Sequence, residues 1–470
     1  MLTARTMADM ADSADLPAHE QRKLSFYARL AADTLAPSNY ALTNPEVLER
    51  ARETNGQSLI DGLRNLMNDL HKGYISTHDE TAFAVGENLA TSAGAVVFRN
   101  ELIEIIQYQP TTEMVAGQPV LIVPPCVNKF YVFDLNEKKS MIRYLVEEGL
   151  PVFAISWRNP SGDSHDFGWD DYLEDGINTA LRVVSEIAEA DKMDLLSWCN
   201  GGTMLTAALA VMPPELVNKV ATATFLSSLI DFSDPGELEV FIDRPQLKTY
   251  GQRMRAAGVA PGRDIARVMA LLHANESVWN FVIDSYLMGN APAPFDVLYW
   301  NGDTQNLAAP WFSVFLEDMY IKNLLKEPGA LTMLGKPVDT HNVTVPCYLL
   351  AATEDHIVPW KSSYDATDLL GGDVTFVLTN GGHVSGTVIN HPTNSRRRFH
   401  VQGDTTRDAE GWLASATCHD GSWWTHWLDW LKANSSQAPV TAPKSVGSRE
   451  FPPLGPAPGT YVFEEVKQDG

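Results

Sequence analysis

The stretch MDLLSWCNGG at residues 193–202, followed by TMLTAALA at residues 203–210, decides the fold. The apolar run that ends at Trp198 predicts a strand, and the run rich in Ala and Leu predicts a helix. A strand, a tight turn and a helix with a nucleophile at the turn form a nucleophile elbow, here with the thiol of Cys199 instead of a hydroxyl. The start of the helix favours negative charge on this sulfur. Cys199 is therefore predicted to be a nucleophile, with a buried structural cysteine as the alternative.

An acid and a histidine follow two later strands. VPCYLLAA at residues 345–352 runs into Asp355, and VTFVL at residues 374–378 runs into His383. In α/β sheets the ligand site lies at the carboxyl ends of the strands, and the chain order of nucleophile, acid and histidine is that of the α/β-hydrolase fold. We therefore predict a triad of Cys199, Asp355 and His383. The alternatives are a helix cap or surface carboxylate for the acid and a loop histidine for the base.

The elbow also predicts two backbone donors for an oxyanion. The N–H of Asn200 follows the nucleophile, and a second donor is expected near Val127, after the strand at residues 120–123. His383 would take the thiol proton or hold a thiolate–imidazolium pair. Asp355 would orient His383 or help to deprotonate an incoming hydroxyl. Attack of a thiolate on a thioester gives another thioester, so the acyl group can then pass to an alcohol.

Composition excludes several classes of function. The net charge of −24 argues against nucleic acid, which requires clustered Lys and Arg. No apolar run approaches the length of a membrane span, and the acidic N-terminus lacks the pattern of a signal peptide. The four cysteines are scattered, and neither HExxH nor a Cys/His pair with ligand spacing occurs, so no disulfide framework and no metal are expected. Because no disulfides are expected, the cytoplasm, which is reducing, is the expected compartment.

Changes in the pattern of apolar and polar residues along the chain predict five regions. Residues 1–95 form a mostly helical N-terminal domain, because apolar residues recur there at three- and four-residue spacing. Residues 96–230 and 345–437 form two parts of a hydrolase core with a largely parallel sheet. The surplus between them, residues 231–344, is predicted to be a cap (lid) over the strand ends, with a second independent domain as the alternative. Residues 438–470 form an extended C-terminal tail.

With these segments assembled, the chain resembles the polyhydroxyalkanoate synthases, in particular the class I type. The matching motifs are long and span nearly the whole chain: PSNY at 37–40, NPE at 44–46, DETAFAVGEN at 79–88, PPCVNKFY at 124–131, SWRNP at 156–160, WNGD at 300–303, NL at 306–307, PW at 310–311 and EDHIVPW at 354–360. Ser197 and Gly381 stand where relatives often carry Gly and Ser, and neither change touches the reacting groups.

The resemblance implies an acyltransferase that polymerises (R)-3-hydroxyacyl-CoA, with 3-hydroxybutyryl-CoA as the expected monomer, into polyester with release of CoA. The family's catalytic residues fall on Cys199, Asp355 and His383. No cofactor is expected, because the substrate carries the CoA. A homodimer at the surface of cytoplasmic polyester granules is implied. Two alternatives remain: a cysteine-dependent thioesterase or hydrolase of the same fold, and a catalytically silent granule-coat protein.

Overall fold

Short apolar and β-branched runs form the strands of the computed structural model, which describes residues 6, 9–11, 13–161, 166–394 and 396–465. The strands are β1 (Gly94–Arg99), β2 (Ile103–Tyr108), β3 (Met114–Val115), β4 (Val120–Val123), β5 (Val152–Trp157), β6 (Met193–Trp198), β7 (Val220–Leu226), β8 (Val259–Ala260), β9 (Leu307–Ala308), β10 (Thr332–Met333), β11 (Lys336–Pro337), β12 (Cys347–Ala352), β13 (Val374–Thr379), β14 (Arg398–Val401), β15 (Thr417–Asp420), β16 (Val440–Thr441) and β17 (Gly455–Pro456).

Eleven of these strands form one sheet in the order β15-β14-β13-β12-β7-β6-β4-β5-β2-β1-β17. The six strands from β13 to β5 pair in parallel. Antiparallel strands extend the sheet at both edges. Every residue of β5, β6 and β12 is buried, as expected of strands covered on both faces. The carboxyl ends of the parallel strands therefore share one edge, as the α/β-hydrolase prediction requires.

The α-helices are α1 (Ala18–Thr34), α2 (Pro45–Glu53), α3 (Gln57–Lys72), α4 (Met141–Glu147), α5 (Trp169–Asp171), α6 (Thr179–Ile187), α7 (Asn200–Val211), α8 (Pro214–Val217), α9 (Arg244–Ala257), α10 (Gly262–Leu272), α11 (Asp296–Gly302), α12 (Ala309–Val314), α13 (Trp360–Asp365), α14 (Ala409–Ser415) and α15 (Trp423–Asn434). π-Helical turns lie at Tyr172–Asn178, Asn275–Trp279, Val282–Leu287 and Phe315–Ile321. 3₁₀ turns lie at Pro37–Asn39, Phe130–Phe133, Gly236–Phe241, Leu324–Lys326, Thr340–Asn342, Ala366–Leu369 and Tyr461–Phe463.

The chain divides into two units whose boundaries differ from the sequence-based ones. One unit joins the N-terminal region up to residue 84 with residues 237–243 and 263–302, and the other holds residues 85–236, 244–262 and 303–470. Segments of the predicted cap thus fall in both units. In the first unit Phe26, Val240 and Leu272 form an apolar core. Such contacts between distant segments leave no trace in local periodicity.

The helix α3 packs through its small and polar residues. A Cβ at Gly62 would collide with the backbone carbonyl of Tyr286, and the Asn65 amide donates to the carbonyls of Ser285 and Asn290 at 3.1 and 3.0 Å. Five apolar residues of this helix point the other way: Leu59, Ile60, Leu63, Met67 and Leu70 are 41–72% exposed. The helix therefore presents an apolar stripe outward, which we call the α3 stripe.

The C-terminal tail is extended, and it is also part of the sheet. β17 pairs with β1 and becomes an edge strand, while β16 pairs with β3. The fully buried carboxylate of Glu104 accepts hydrogen bonds from the backbone N–H groups of Thr460 and Tyr461 at 2.9 and 3.0 Å. This buried acceptor fixes the tail to the second strand of the sheet. The last residues of the predicted tail, 466–470, lie outside the described residues.

Candidate active site

Cys199 occupies a strained turn between β6 and α7. Its backbone has φ 53° and ψ −132°, a conformation that L-residues adopt only when the surroundings enforce it. The N–H of Cys199 donates to the carbonyl of Leu226 at 3.0 Å. A Cβ at Gly201 would lie 2.6 Å from the carbonyl oxygen of Val123, and one at Gly202 would collide with Ser228. Glycine is therefore required at both positions, because the helix starts directly against the neighbouring loops.

Asp355 and His383 lie at the ends of β12 and β13 and contact each other. His383 Nδ1 is 2.7 Å from Asp355 Oδ2, and both side chains are almost completely buried. The other carboxylate oxygen, Oδ1, accepts hydrogen bonds from the N–H groups of Ile357 and Val358 at 2.9 Å each. Both oxygens of Asp355 are therefore occupied, which fixes the carboxylate against the imidazole.

The imidazole of His383 also interacts with the side chain of Cys199. Since Nδ1 faces Asp355, the second ring nitrogen, Nε2, is the one available to the sulfur. Burial by itself lowers the pKa of His383. The negative charge of Asp355, and then that of Cys199, outweigh this effect and raise the pKa to about 10. Burial raises the pKa of Asp355, and the charge and hydrogen bond of His383 bring it below its ordinary value. The three residues named from the sequence thus come together, with the imidazole of His383 between the Asp355 carboxylate and the Cys199 side chain.

The two residues predicted to donate to an oxyanion lie on adjoining segments. Asn200 is the first residue of α7, and Val127 lies half-buried in the loop after β4. The Asn200 side chain connects the two segments, because its Oδ1 accepts from the N–H of Cys126 at 3.2 Å and its Nδ2 lies 3.7 Å from the Cys126 sulfur. Sequence reasoning named Asn200 for its backbone only. The role of its side chain could not be read from the sequence.

A buried ion pair holds the far end of this loop. Lys129 Nζ lies 2.6 Å from Asp303 Oδ1, with the Lys129 side chain only 5% exposed. The Tyr131 hydroxyl donates to the other oxygen of Asp303 at 2.9 Å, and Asn128 forms an isolated antiparallel β-bridge with Thr304. Motifs that are far apart in the sequence therefore meet beside the predicted oxyanion donors.

The end of β5 belongs to the same network. The Asn306 N–H donates to Asn159 Oδ1 at 2.9 Å, and the Gln305 amide donates to the Trp157 carbonyl at 3.0 Å. The Trp157 indole in turn donates to the carbonyl of Pro124 at 2.9 Å. These hydrogen bonds tie the segment after residue 302 to the loop that follows β4.

The tryptophan-rich helix α15 supports the histidine loop. The indole N–H groups of Trp423 and Trp424 donate to the carbonyls of Gly386 and Thr387 at 3.1 and 3.3 Å. Both tryptophans are fully buried. The packing of this helix on the core therefore also positions the segment directly after His383.

An aromatic cluster lies near the sulfur. Tyr320 contacts Phe232 and Phe315 with ring centroids 5.0 and 5.4 Å apart. Burial, and then the charge of Cys199, raise the pKa of the Tyr320 phenol, which places this ring within electrostatic reach of the thiol.

Within the residues that the structure describes, no group of three or more His, Cys, Asp or Glu side chains could hold a metal ion. Across the same residues, no helix combines the length and apolar character needed to cross a bilayer.

Comparisons with known proteins agree with the fold and with the resemblance. The family model described as "Poly-beta-hydroxybutyrate polymerase (PhaC) N-terminus" matches residues 1–145, and the one described as "alpha/beta hydrolase fold" matches residues 119–386. The "Poly(3-hydroxyalkanoate) polymerase subunit PhaC" of Cupriavidus necator is 41% identical over 467 residues, which cover 98% of this chain and 79% of that protein.

Two further relatives cover the same share of this chain. "Poly(3-hydroxyalkanoate) polymerase" of Methylorubrum extorquens is 37% identical, over 98% of this chain and 77% of that protein. "Poly(3-hydroxyalkanoate) polymerase 1" of Ectopseudomonas oleovorans is 38% identical, over 98% and 82%. The predicted fold and the predicted family are both confirmed. The chain belongs to the poly(3-hydroxyalkanoate) polymerases, a family of acyltransferases, and carries an α/β-hydrolase domain.

Proposed function

We propose that this enzyme polymerises (R)-3-hydroxyacyl-CoA, with 3-hydroxybutyryl-CoA as its monomer, through an acyl thioester on Cys199. The observation that carries the proposal is the arrangement of Asp355, His383 and Cys199. The acid is hydrogen-bonded to the imidazole at 2.7 Å, and the same ring interacts with the sulfur, which lies at the start of a helix. A thiolate beside an imidazolium is a strong nucleophile toward a thioester carbonyl.

In the first half-reaction the Cys199 thiolate attacks the carbonyl carbon of the acyl-CoA. The backbone N–H groups of Asn200 and Val127 are proposed to stabilise the oxyanion. The bond between carbon and the CoA sulfur breaks, and His383 gives its proton to the leaving thiolate. The products are acyl-Cys199 and free CoA, and no further cofactor is needed.

In the second half-reaction a hydroxyl group of another 3-hydroxyacyl unit attacks acyl-Cys199. His383, now neutral, takes the hydroxyl proton, an ester forms, and the bond from carbon to the Cys199 sulfur breaks. The contacts of Asp355 support an orienting role, because both of its oxygens are already occupied by His383 and by backbone N–H groups. The aromatic cluster of Phe232, Phe315 and Tyr320 would keep water from the thioester. The predicted lid at residues 231–344 would serve the same end.

The test uses purified enzyme with (R)-3-hydroxybutyryl-CoA and follows CoA release and polymer mass together. We expect one ester unit for each CoA released. Release of CoA without polymer would instead identify a hydrolase, and absence of release would identify a silent coat protein. The Cys199→Ala variant, purified in parallel, controls for contaminating thioesterase.

The proposal extends to a homodimer at the surface of the polyester product. The α3 stripe offers exposed apolar area, which suits contact with a water-insoluble polymer. The double variant Leu63→Gln/Met67→Gln should shift the enzyme from sedimenting granules to the supernatant at unchanged activity on soluble substrate. Leu48→Gln, at a 48% exposed position on α2, is the control. Equal sedimentation of both would exclude the stripe as the contact.

A further inference from the structure

The face of the His383 ring is covered by the side chain that precedes the nucleophile. The rings of Trp198 and His383 have centroids 4.9 Å apart and planes inclined by 32°. Trp198 is 2% exposed and meets Phe133 edge to face at 6.2 Å. The indole therefore lies between the histidine and the 3₁₀ turn that follows the oxyanion loop, and its position is fixed from both sides.

The sheet order explains why a large side chain is needed here. Two strands, β7 and β12, separate β6 from β13, which places the ends of β6 and β13 about 14 Å apart at the usual strand spacing. The loop after β13 brings His383 inward, and an indole at the end of β6 is long enough to meet the ring. A small residue at position 198 would leave this face of the imidazole without a neighbour.

Stacking on an aromatic face is sensitive to charge. The negative face of an indole attracts a cation more strongly than it attracts a neutral ring, and Trp is better in this respect than Phe. The titratable groups that act on His383 are Asp355, from the loop after β12, and Cys199, from the elbow. The Cys126 thiol and the Tyr320 phenol interact electrostatically with Cys199, and burial raises the pKa of both groups.

We propose that Trp198 is a positioning residue: its indole holds the His383 ring in the plane that presents Nε2 to Cys199, and it stabilises the protonated form of that ring. Asp355 thus fixes the edge of the imidazole and Trp198 fixes its face. The inference rests on the proposed function only in that Cys199 and His383 act together.

The experiment compares Trp198, Trp198→Phe and Trp198→Leu in a Cys418→Ser background, because Cys418 is the exposed cysteine. The rate of alkylation of Cys199 by iodoacetamide is followed against pH by mass spectrometry of its peptide. We expect the pH of half-maximal reactivity to rise by about one unit in Trp198→Leu and by less in Trp198→Phe, since desolvated cation–π contacts have roughly that strength. With 3-hydroxybutyryl-CoA, kcat should fall about tenfold in Trp198→Leu with KM changed less than twofold.

A second measurement protects the test against a folding defect in Trp198→Leu. In a Cys199→Ala background, the pKa of His383 is titrated by NMR for Trp198 and for the conservative Trp198→Phe, and it should be lower with Phe. Identical titration and alkylation profiles in all variants would overturn the proposal. If alkylation shifts from Trp198 to Phe to Leu but no variant forms polymer, the role of Trp198 is supported. The proposed polymerase function is then contradicted.

Discussion

The side chain of Asn200 holds the loop that carries the other predicted oxyanion donor: its Oδ1 accepts the N–H of Cys126 at 3.2 Å. The backbone N–H of Asn200 is itself the first predicted donor. One residue therefore contributes to both halves of the proposed oxyanion site, once through its backbone and once through its side chain.

We predict that Asn200→Ala lowers kcat by roughly 10- to 100-fold with little change in KM. The variant keeps the backbone donor of residue 200 but leaves the buried N–H of Cys126 without its acceptor, so the loop with Val127 loses its fixed position. Steady-state kinetics of CoA release measure the effect. Asn434→Ala, which removes an amide from the end of α15, should keep full activity. Normal kcat in Asn200→Ala would show that the other contacts of the loop hold it in place without the Asn200 side chain.

We predict that His383→Gln is inactive and that alkylation of its Cys199 by iodoacetamide slows sharply. An imidazole is needed both to hold the thiolate and to move protons in each half-reaction. The matched control is His391→Gln, which removes a half-buried histidine from the same loop. Both are measured in the Cys418→Ser background, with Cys199→Ala as the inactive reference. If His383→Gln reacts as fast as the control, His383 does not activate the thiol.

We predict that Asp355→Asn slows both half-reactions together, because its contacts suit orientation of His383. The sign of the pH effect follows from the charges. Asp355 raises the pKa of His383, so the imidazolium persists to about pH 10, and steps that need it decline only as the pH approaches that value. Without the carboxylate the decline should begin at lower pH. Rapid-quench measurement of acyl-Cys199 against pH tests this. Normal acylation with arrested chain growth would assign Asp355 to the incoming hydroxyl instead.

The sequence predicted the edge of the sheet that carries the candidate triad better than the rest of the molecule. Cys199, Asp355 and His383 each follow a short strand rich in apolar residues, and such strands are easy to recognise. β7, which lies between β6 and β12, was not named from the sequence, because VATATFL alternates small and hydroxyl-bearing residues with apolar ones. β17 consists of Gly and Pro and carries no strand propensity. It pairs with β1, and the buried Glu104, far away in the sequence, holds the residues that follow it.

Other features depend on contacts that no local pattern specifies. The stacking of Trp198 on His383 and the hydrogen bond from Cys126 to Asn200 each join segments dozens of residues apart. The α3 stripe shows a case in which a local pattern is clear but its environment is not. Its helical periodicity was correctly recognised, but periodicity does not tell whether an apolar face turns toward a core or away from it.

The final prediction concerns Asp194, which is buried near the start of β6, away from the reacting groups. Burial raises the pKa of this carboxyl to about 6, although hydrogen bonds from Thr222 and Gln118 oppose the shift. The folded state therefore binds a proton more tightly than the unfolded state, whose pKa is near 3.9. Below that value both states are protonated and Asp194 costs no stability. As the pH rises to about 6 the cost grows, and above it the cost stays constant at about 2–3 kcal/mol.

Asp194→Asn should remove this cost, because the amide oxygen can still accept the hydrogen bond that Thr222 donates at 2.7 Å. We expect the Tm of the variant to equal that of the parent near pH 4 and to exceed it by several degrees from pH 7 upward. Differential scanning fluorimetry across this range makes the comparison, with Asp191→Asn, at an exposed position three residues away, as the control. A Tm difference that does not change between pH 4 and pH 7 would mean that Asp194 does not titrate in the folded protein as its burial requires.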